Sequence, residues 1–273
     1  MKKVLFASTA LVMVAGAAAA DVTVSGSANM GLFYNGTTTV VKNEIDIDVA
    51  GSGSTDGGIT FGASVDLDAE SNNSAHTTGT GASDPEVFIS YEGLTLTVGD
   101  IGEASDQGGL ADVGFDGIGI DDSAEIGAFG SHDVHVAYSF GDIAVAASID
   151  SDSSNDDWGI GMSTSFDSVS VAVGFGSTAG ANQTTATIGY SAGAFGANIF
   201  YVDNGTNTGQ GIDISYTSGD LTITAVFADN DGAGTQEAYG IGFAYDLGGA
   251  TLAGGFGEAK GTSVADLGVS FSF

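Results

Sequence analysis

The chain has 273 residues, 45 of them glycine, one proline and no cysteine, with 35 acidic residues against four lysines and no arginine. A formal charge of −31 makes nucleic acid and anionic lipid headgroups poor partners, and the missing cysteines exclude disulfides and thiolate metal sites. With only 14% charged residues this is not the composition of a disordered chain, so stability has to come from a regular hydrogen-bonded scaffold.

The chain opens with Met1-Lys2-Lys3, an apolar run from Val4 to Gly16, and the small residues Ala17 to Ala20. A basic start, a short apolar stretch and a small-residue end predict a signal peptide over 1–20, cleaved after Ala20. Residues 21–273 then form one domain beginning at Asp21. The leader carries two of the four lysines and none of the acids. Downstream, no apolar stretch approaches the ~18 residues that a spanning helix needs. If the mature chain crosses a membrane, it does so as strands.

The first strand is predicted at Val22 to Tyr34 and the second at Val41 to Val49. In the second, Lys42, Glu44, Asp46 and Asp48 share one face, while Val41, Ile45, Ile47 and Val49 share the other with Asn43. Like charges two residues apart lie ~7 Å from each other, costing about 0.6 kcal/mol in water and about 2.4 at an effective dielectric of 20. Such a ladder needs water beside it. The third strand, Ile59 to Leu67, adds Asp66 and the adjoining Asp68 on the Thr60 face, opposite Phe61, Val65 and Leu67.

Six hairpins follow, each an aromatic, a tight turn and an alternating strand. Their turns are Tyr91 to Leu94, Phe140 to Ile143, Phe166 to Val169, Tyr190 to Phe195, Tyr216 to Leu221 and Tyr245 to Leu252. At their other ends the strands run into polar connections: 70–84, 101–131, 151–157, 176–183, 203–209, 229–236 and 257–263. The last strand, Val264 to Phe273, places Phe273, Phe271, Val269, Leu267 and Ala265 on one apolar face and ends on an aromatic. With the first three strands and the hairpins, it brings the total to sixteen, an even number. The expected fold is all-β: a transmembrane antiparallel barrel with short turns on one rim and longer loops on the other. A soluble β-sandwich also alternates, but its exterior carries mixed Lys and Glu. Here the face opposite the aliphatic one is small and neutral, as in Gly159, Gly161, Ser163 and Ser165.

The segment Tyr239 to Leu252 with Val264 to Phe273 closely resembles the C-terminal hairpin and closing strand of alphaproteobacterial general diffusion porins. Asp21 to Gly36 and Ser54 to Ser64 look like that family's first strand and second periplasmic turn, and the likeness extends over nearly all of residues 21–273. The resemblance implies a homotrimer of sixteen-stranded barrels in the outer membrane of a Gram-negative bacterium. Each barrel is then a water-filled pore narrowed by an inward-folded third loop. It also implies a C-terminal strand, with Phe273, Phe271, Val269 and Leu267, that closes the barrel and is read by the barrel-assembly machinery.

The third long connection, Ile101 to Ser131, is the longest in the chain. It carries enough apolar side chains to pack on something, including Leu110, Val113, Phe115, Ile118 and Ile120. It also carries Glu103, Asp106, Asp112, Asp116, Asp121, Asp122 and Glu125 with no cation. An inward fold hangs these acids in the pore. The family usually sets such acids against basic residues on the wall, but only Lys42 and Lys260 remain here, so that basic cluster has no counterpart. The expected pore lining is therefore the seven loop acids with Lys42, Glu44, Asp46, Asp48, Asp66 and Asp68.

Other sites are weak. Asp150 to Asp157 begins like a calcium loop but has Asn155 at the sixth position and Gly161 at the twelfth. No cofactor or metal site is expected, beyond weak calcium binding by acidic loops. His76, His132 and His135 offer no convergent catalytic set, with His132 and His135 expected on opposite strand faces, and enzymatic activity is not expected. The function expected is passive diffusion of ions and small hydrophilic solutes with cation preference, and the lipid of the outer membrane is the surrounding partner. A secreted, acidic, calcium-dependent adhesin is the competing reading, and it lacks the Gly-Gly-x-Gly-x-Asp repeat that such β proteins use.

Overall fold

The computed structural model describes residues 21–71, 78–80, 84–126, 129–234 and 236–273. The expected leader and part of the 70–84 connection lie outside the described residues. In chain order the elements are β1 (Asp21–Tyr34), β2 (Thr39–Ser54), β3 (Thr60–Ser71), β4 (Thr78–Thr80), β5 (Glu86–Tyr91) and β6 (Leu94–Gly102). After a short helical turn, α1 (Asp122–Glu125), come β7 (Ser131–Phe140), β8 (Ile143–Ile149), β9 (Trp158–Phe166), β10 (Val169–Thr178), β11 (Ala181–Ala192) and β12 (Phe195–Asp203). The chain ends with β13 (Thr208–Ser218), β14 (Leu221–Asn230), β15 (Ala238–Asp246), β16 (Thr251–Ala259) and β17 (Thr262–Ser272).

Apart from β4 and β5, which both pair with β3, each strand pairs antiparallel with its chain neighbour, and β17 returns to pair with β1, so the sheet closes on itself. At the seam Phe273 and Gly26 exchange two backbone hydrogen bonds, of 2.9 and 3.0 Å, which brings the terminal aromatic into the closure. The small strand β4 and β5 lie end to end on the same edge of β3 and share one position in the wall. The barrel therefore has sixteen staves, the number predicted.

Closure removes every sheet edge, and the pleat sorts side chains to two faces. The aliphatic residues are turned out: Val24, Met30, Ile45, Ile160, Ile214 and Ile241 are all exposed. Rings just before the short turns form one belt, with Tyr91, Phe140, Phe166, Tyr190, Tyr216 and Tyr245 exposed on the same rim. Neighbouring belt rings touch, as Phe195 and Tyr216 do at 4.9 Å between centroids.

The other rim differs from expectation at three places. The connections read as 176–183 and 257–263 are two-residue turns, Ala179-Gly180 and Lys260-Gly261. Both residues of each turn have positive φ (52° and 79°, 51° and 80°), the geometry whose twist matches a hairpin. The Gly at the second position made these turns possible, while the flanking polar residues disguised strand as loop. At β6 the ladder continues past Gly99 to Gly102 through an irregularity between Val98 and Ile101, which shortens the third loop to 103–130.

Candidate functional site

The buried apolar cluster of this molecule lies inside the barrel, between the third loop and the wall. Leu110, Val113, Ile118, Ile120 and Ala124 of the loop meet Phe200, Val202, Val226, Ala228, Ala238 and Val264 of β12, β14, β15 and β17. Burying such side chains contributes about 1.5–3 kcal/mol each, so the loop is glued to the wall and does not hang free.

Close approach is possible because the inner face is glycine where the loop passes. An added Cβ at Gly174 would lie 1.9 Å from the Ser105 carbonyl oxygen, and one at Gly209 would lie 1.8 Å from that of Ala124. Gly242 and Gly255 leave the room that Val113 fills. Contacts trace the path. The loop starts against β8 to β11, crosses β12 to β16, reaches β17 and β1 at Phe115, and returns along β15 and β16 to α1 on β12, β13 and β14.

Wall side chains also satisfy the loop backbone. Ser148 Oγ accepts from Ala104 N–H at 2.8 Å. Thr185 and Thr187 donate to the carbonyls of Ser105 and Gln107 at 2.6 Å each. Asn198 and Asn230 donate to those of Gly109 and Ser123, again at 2.6 Å. Asp213 accepts from Ala111 N–H at 3.0 Å, and Asp266 accepts from Phe115 N–H at 2.8 Å. None of these wall residues stood out in the sequence. Their only signal was a polar group on an inner face that was otherwise small.

The expected site acids separate into three groups. Glu103, 3% exposed, is buried at the loop's root, where Ser105, Thr178 and Gln183 donate to its carboxylate. Asp116, near the loop's midpoint, forms an ion pair with Lys42 and accepts a 3.3 Å hydrogen bond from Asn29. Lys42 also stacks 4.6 Å above the Phe33 ring. The remaining five, Asp106, Asp112, Asp121, Asp122 and Glu125, are half-buried or exposed.

Within that last group the carboxylates crowd one another. Carboxylate oxygens of Asp121, Asp122 and Glu125 lie within 4.8 Å of one another. Burial, then the charge on Asp112, pushes Asp121 up to about 7, with Asp122 and Glu125 adding to the rise. Burial raises Asp112, Glu125 and Asp106 as well, helped at Asp106 by Glu103 and at Glu125 by Asp122.

Beyond the loop's tip stands the acidic ladder, and the register sharpens it. Asp46 lies directly across from Asp68, and Asp48 across from Asp66, so the charges face each other between strands as well as along them. Ser27 donates to Asp46 at 2.8 Å and Asn29 to Glu44 at 2.9 Å. Asp48 is exposed, and the other ladder acids are half-buried.

The three histidines assemble no catalytic set among the described residues, where His76 is not included. His132 and His135 are three apart, yet His132 Nδ1 lies 2.7 Å from Ser148 Oγ, and Ser148 is the residue paired with His135. Both therefore approach the same wall position, against the expectation of opposite faces.

The model of the Gram-negative porin family matches residues 7–268. The chain belongs to that family. A curated porin from Fuscovulum blasticum is 27% identical over 269 residues, spanning 86% of this chain and 92% of that protein. Solved variants of Rh. blastica porin, at 23% identity, superpose with TM-scores of 0.78 for a quintuple variant and 0.77 for a triple one. Each covers 92% of this chain and all of the other. The barrel is accordingly an outer-membrane porin channel, and solute passage, not catalysis, is what the family does.

Proposed function

We propose that this porin passes cations in preference to anions, that its third loop is the constriction, and that three barrels assemble as a homotrimer. The observation that carries the cation preference is the imbalance at the loop. Five loop carboxylates keep some exposure, and the ladder Glu44, Asp46, Asp48, Asp66 and Asp68 adds five more on two paired strands. The one lysine among them, Lys42, is already paired with Asp116. A field of a single sign beside low-dielectric walls concentrates counter-ions and repels co-ions.

The zero-current potential across a planar bilayer under a potassium chloride gradient tests this reading. We expect the sign of cation preference, and a roughly threefold or larger fall in the cation-to-anion permeability ratio when Asp46, Asp48, Asp66 and Asp68 are all replaced by Asn. Anion preference in the unsubstituted protein would refute the assignment. Trimerisation is supported by family membership, and a trimer mass by native mass spectrometry in detergent is the expected result.

A further inference from the structure

We propose that Asp266 is the positioning residue that sets how far the constriction loop stands off the wall at its tip. The inference rests on the loop being the constriction, but its readout is pore size, not ion preference.

Asp266 on β17 is 8% exposed and its carboxylate is fully engaged. Oδ1 accepts from Gly255 N–H of β16 at 2.7 Å, and Oδ2 accepts from Phe115 N–H at 2.8 Å and Asp116 N–H at 3.3 Å. One side chain therefore ties two wall strands to two consecutive loop amides, at the point of the loop farthest from both of its ends. No other wall carboxylate among the described residues does this. Asp213, the nearest analogue, accepts a single loop amide.

The loop is shaped to receive that carboxylate. Gly114 has a φ of +112°, and a Cβ there would lie 2.2 Å from Oδ2 of Asp266. Beside it the Phe115 ring fills the space left by Gly31 and Gly268, where added Cβ atoms would come within 2.6 Å of the ring. A backward hydrogen bond from Ile118 N–H to the Val113 carbonyl, 3.1 Å, closes the turn around this anchor. Without the carboxylate, the two amides lose their partners, and the polar contacts left at the tip among the described residues include those of the half-buried Lys42 and Asn29.

Asp266→Asn keeps the size but puts an amide N–H against either the Gly255 donor or the two loop donors. We expect its single-channel conductance to rise roughly one and a half-fold or more, with added open-channel noise, as the tip leaves its seat. Gly114→Ala should reproduce this from the loop side, and Asp213→Asn should change conductance less. The thermal transition of the barrel, read by loss of strand signal in circular dichroism, should stay near that of the unsubstituted protein. Unchanged conductance in both Asp266→Asn and Gly114→Ala, or a lowered barrel transition with unchanged conductance, overturns the proposal. An anion preference in the parent would overturn the selectivity reading and leave this test intact.

Discussion

Two stretches of the inner wall share the same strand alternation and do opposite things. On β9 to β17 the inner face mixes Gly, Ser and Thr with apolar residues such as Phe200, Val202 and Val226, and it is covered by the loop down to backbone contact. On β2 and β3 the inner face is Glu and Asp, and it stays beside the space the loop leaves open. Glycine on a barrel wall is destabilising as strand material because it contributes no side-chain packing. Here it is compensated by the buried apolar cluster and by hydrogen bonds to loop amides and carbonyls. The acidic wall cannot be covered in this way, since burying its cross-strand carboxylates without partners costs far more than a hydrogen bond returns. Which wall the loop covers is thus decided by which wall can lose its water.

The most direct way to break this contrast is to give the covered wall side chains. Gly174→Leu puts a branched side chain where even a Cβ would stand 1.9 Å from the Ser105 carbonyl, so the loop's root cannot seat. We expect this to be the largest effect: conductance roughly doubled or more, with the cation preference reduced because the loop acids move away from the ladder. Gly209→Val, at the Ala124 contact, should act alike from the other end of the loop. The equivalent substitution at Gly141, in an open turn with nothing within 4 Å, should leave conductance unchanged apart from the strain of its positive φ. Single-channel recording of the three variants checks the set. Equal conductance at Gly174→Leu and in the parent would mean that loop and wall are not in contact.

What could be seen beforehand follows from the same contrast. Strand number, closure at Phe273, the belt of rings and the ladder all depend on a period of two and on tight-turn chemistry, both local in sequence. The inward loop came from family likeness. Its docking was illegible because it depends on which strand positions meet a segment 40–150 residues away, as with Ser105 and Thr185 or Phe115 and Asp266. Glycines such as Gly174 and Gly209 read only as sparse lumen lining, since a missing side chain gives no sign of what fills its place. Glu103 grouped with the other loop acids by composition, yet its neighbours Thr178 and Gln183 draw it into the wall. The ladder was legible along β2, whereas the pairing of Asp46 with Asp68 needed the register.

A change of pH sharpens the comparison without mutation. Asp121 is held near pH 7 by burial and by Asp112, Asp122 and Glu125, well above its ordinary 3.8. The docked loop therefore binds a proton more tightly than a released one. Docking from this group is strongest below about pH 4, weakens as pH rises toward 7, and is constant above. The ion-preference effect runs the other way: as pH falls through 7, Asp121 loses its charge and cation preference drops before ordinary carboxylates titrate. We expect roughly a twofold decrease in permeability ratio between pH 8 and pH 6, absent in Asp121→Asn. A flat profile over that interval in the parent would mean that Asp121 is not among the charges that ions encounter.

The smallest expected effect concerns the one cation at the boundary between the two walls. Lys42 and Asp116 are 23% and 16% exposed, so their pair is partly screened and contributes about 1 kcal/mol or less to holding the tip. Lys42→Met keeps a long apolar stem over the Phe33 ring while removing the charge, which separates packing from electrostatics. Asp116 then faces Glu44 across their shared partner Asn29 with no cation between them. The local charge becomes one unit more negative, so the permeability ratio should shift toward cations, by less than about twofold at physiological salt because a single partly exposed charge is screened over ~8 Å. Conductance should hardly change, because the clamp on Phe115 and Asp116 from Asp266 remains in place. A large conductance increase in Lys42→Met would instead make the ion pair, and not the wall carboxylate, the element that seats the tip.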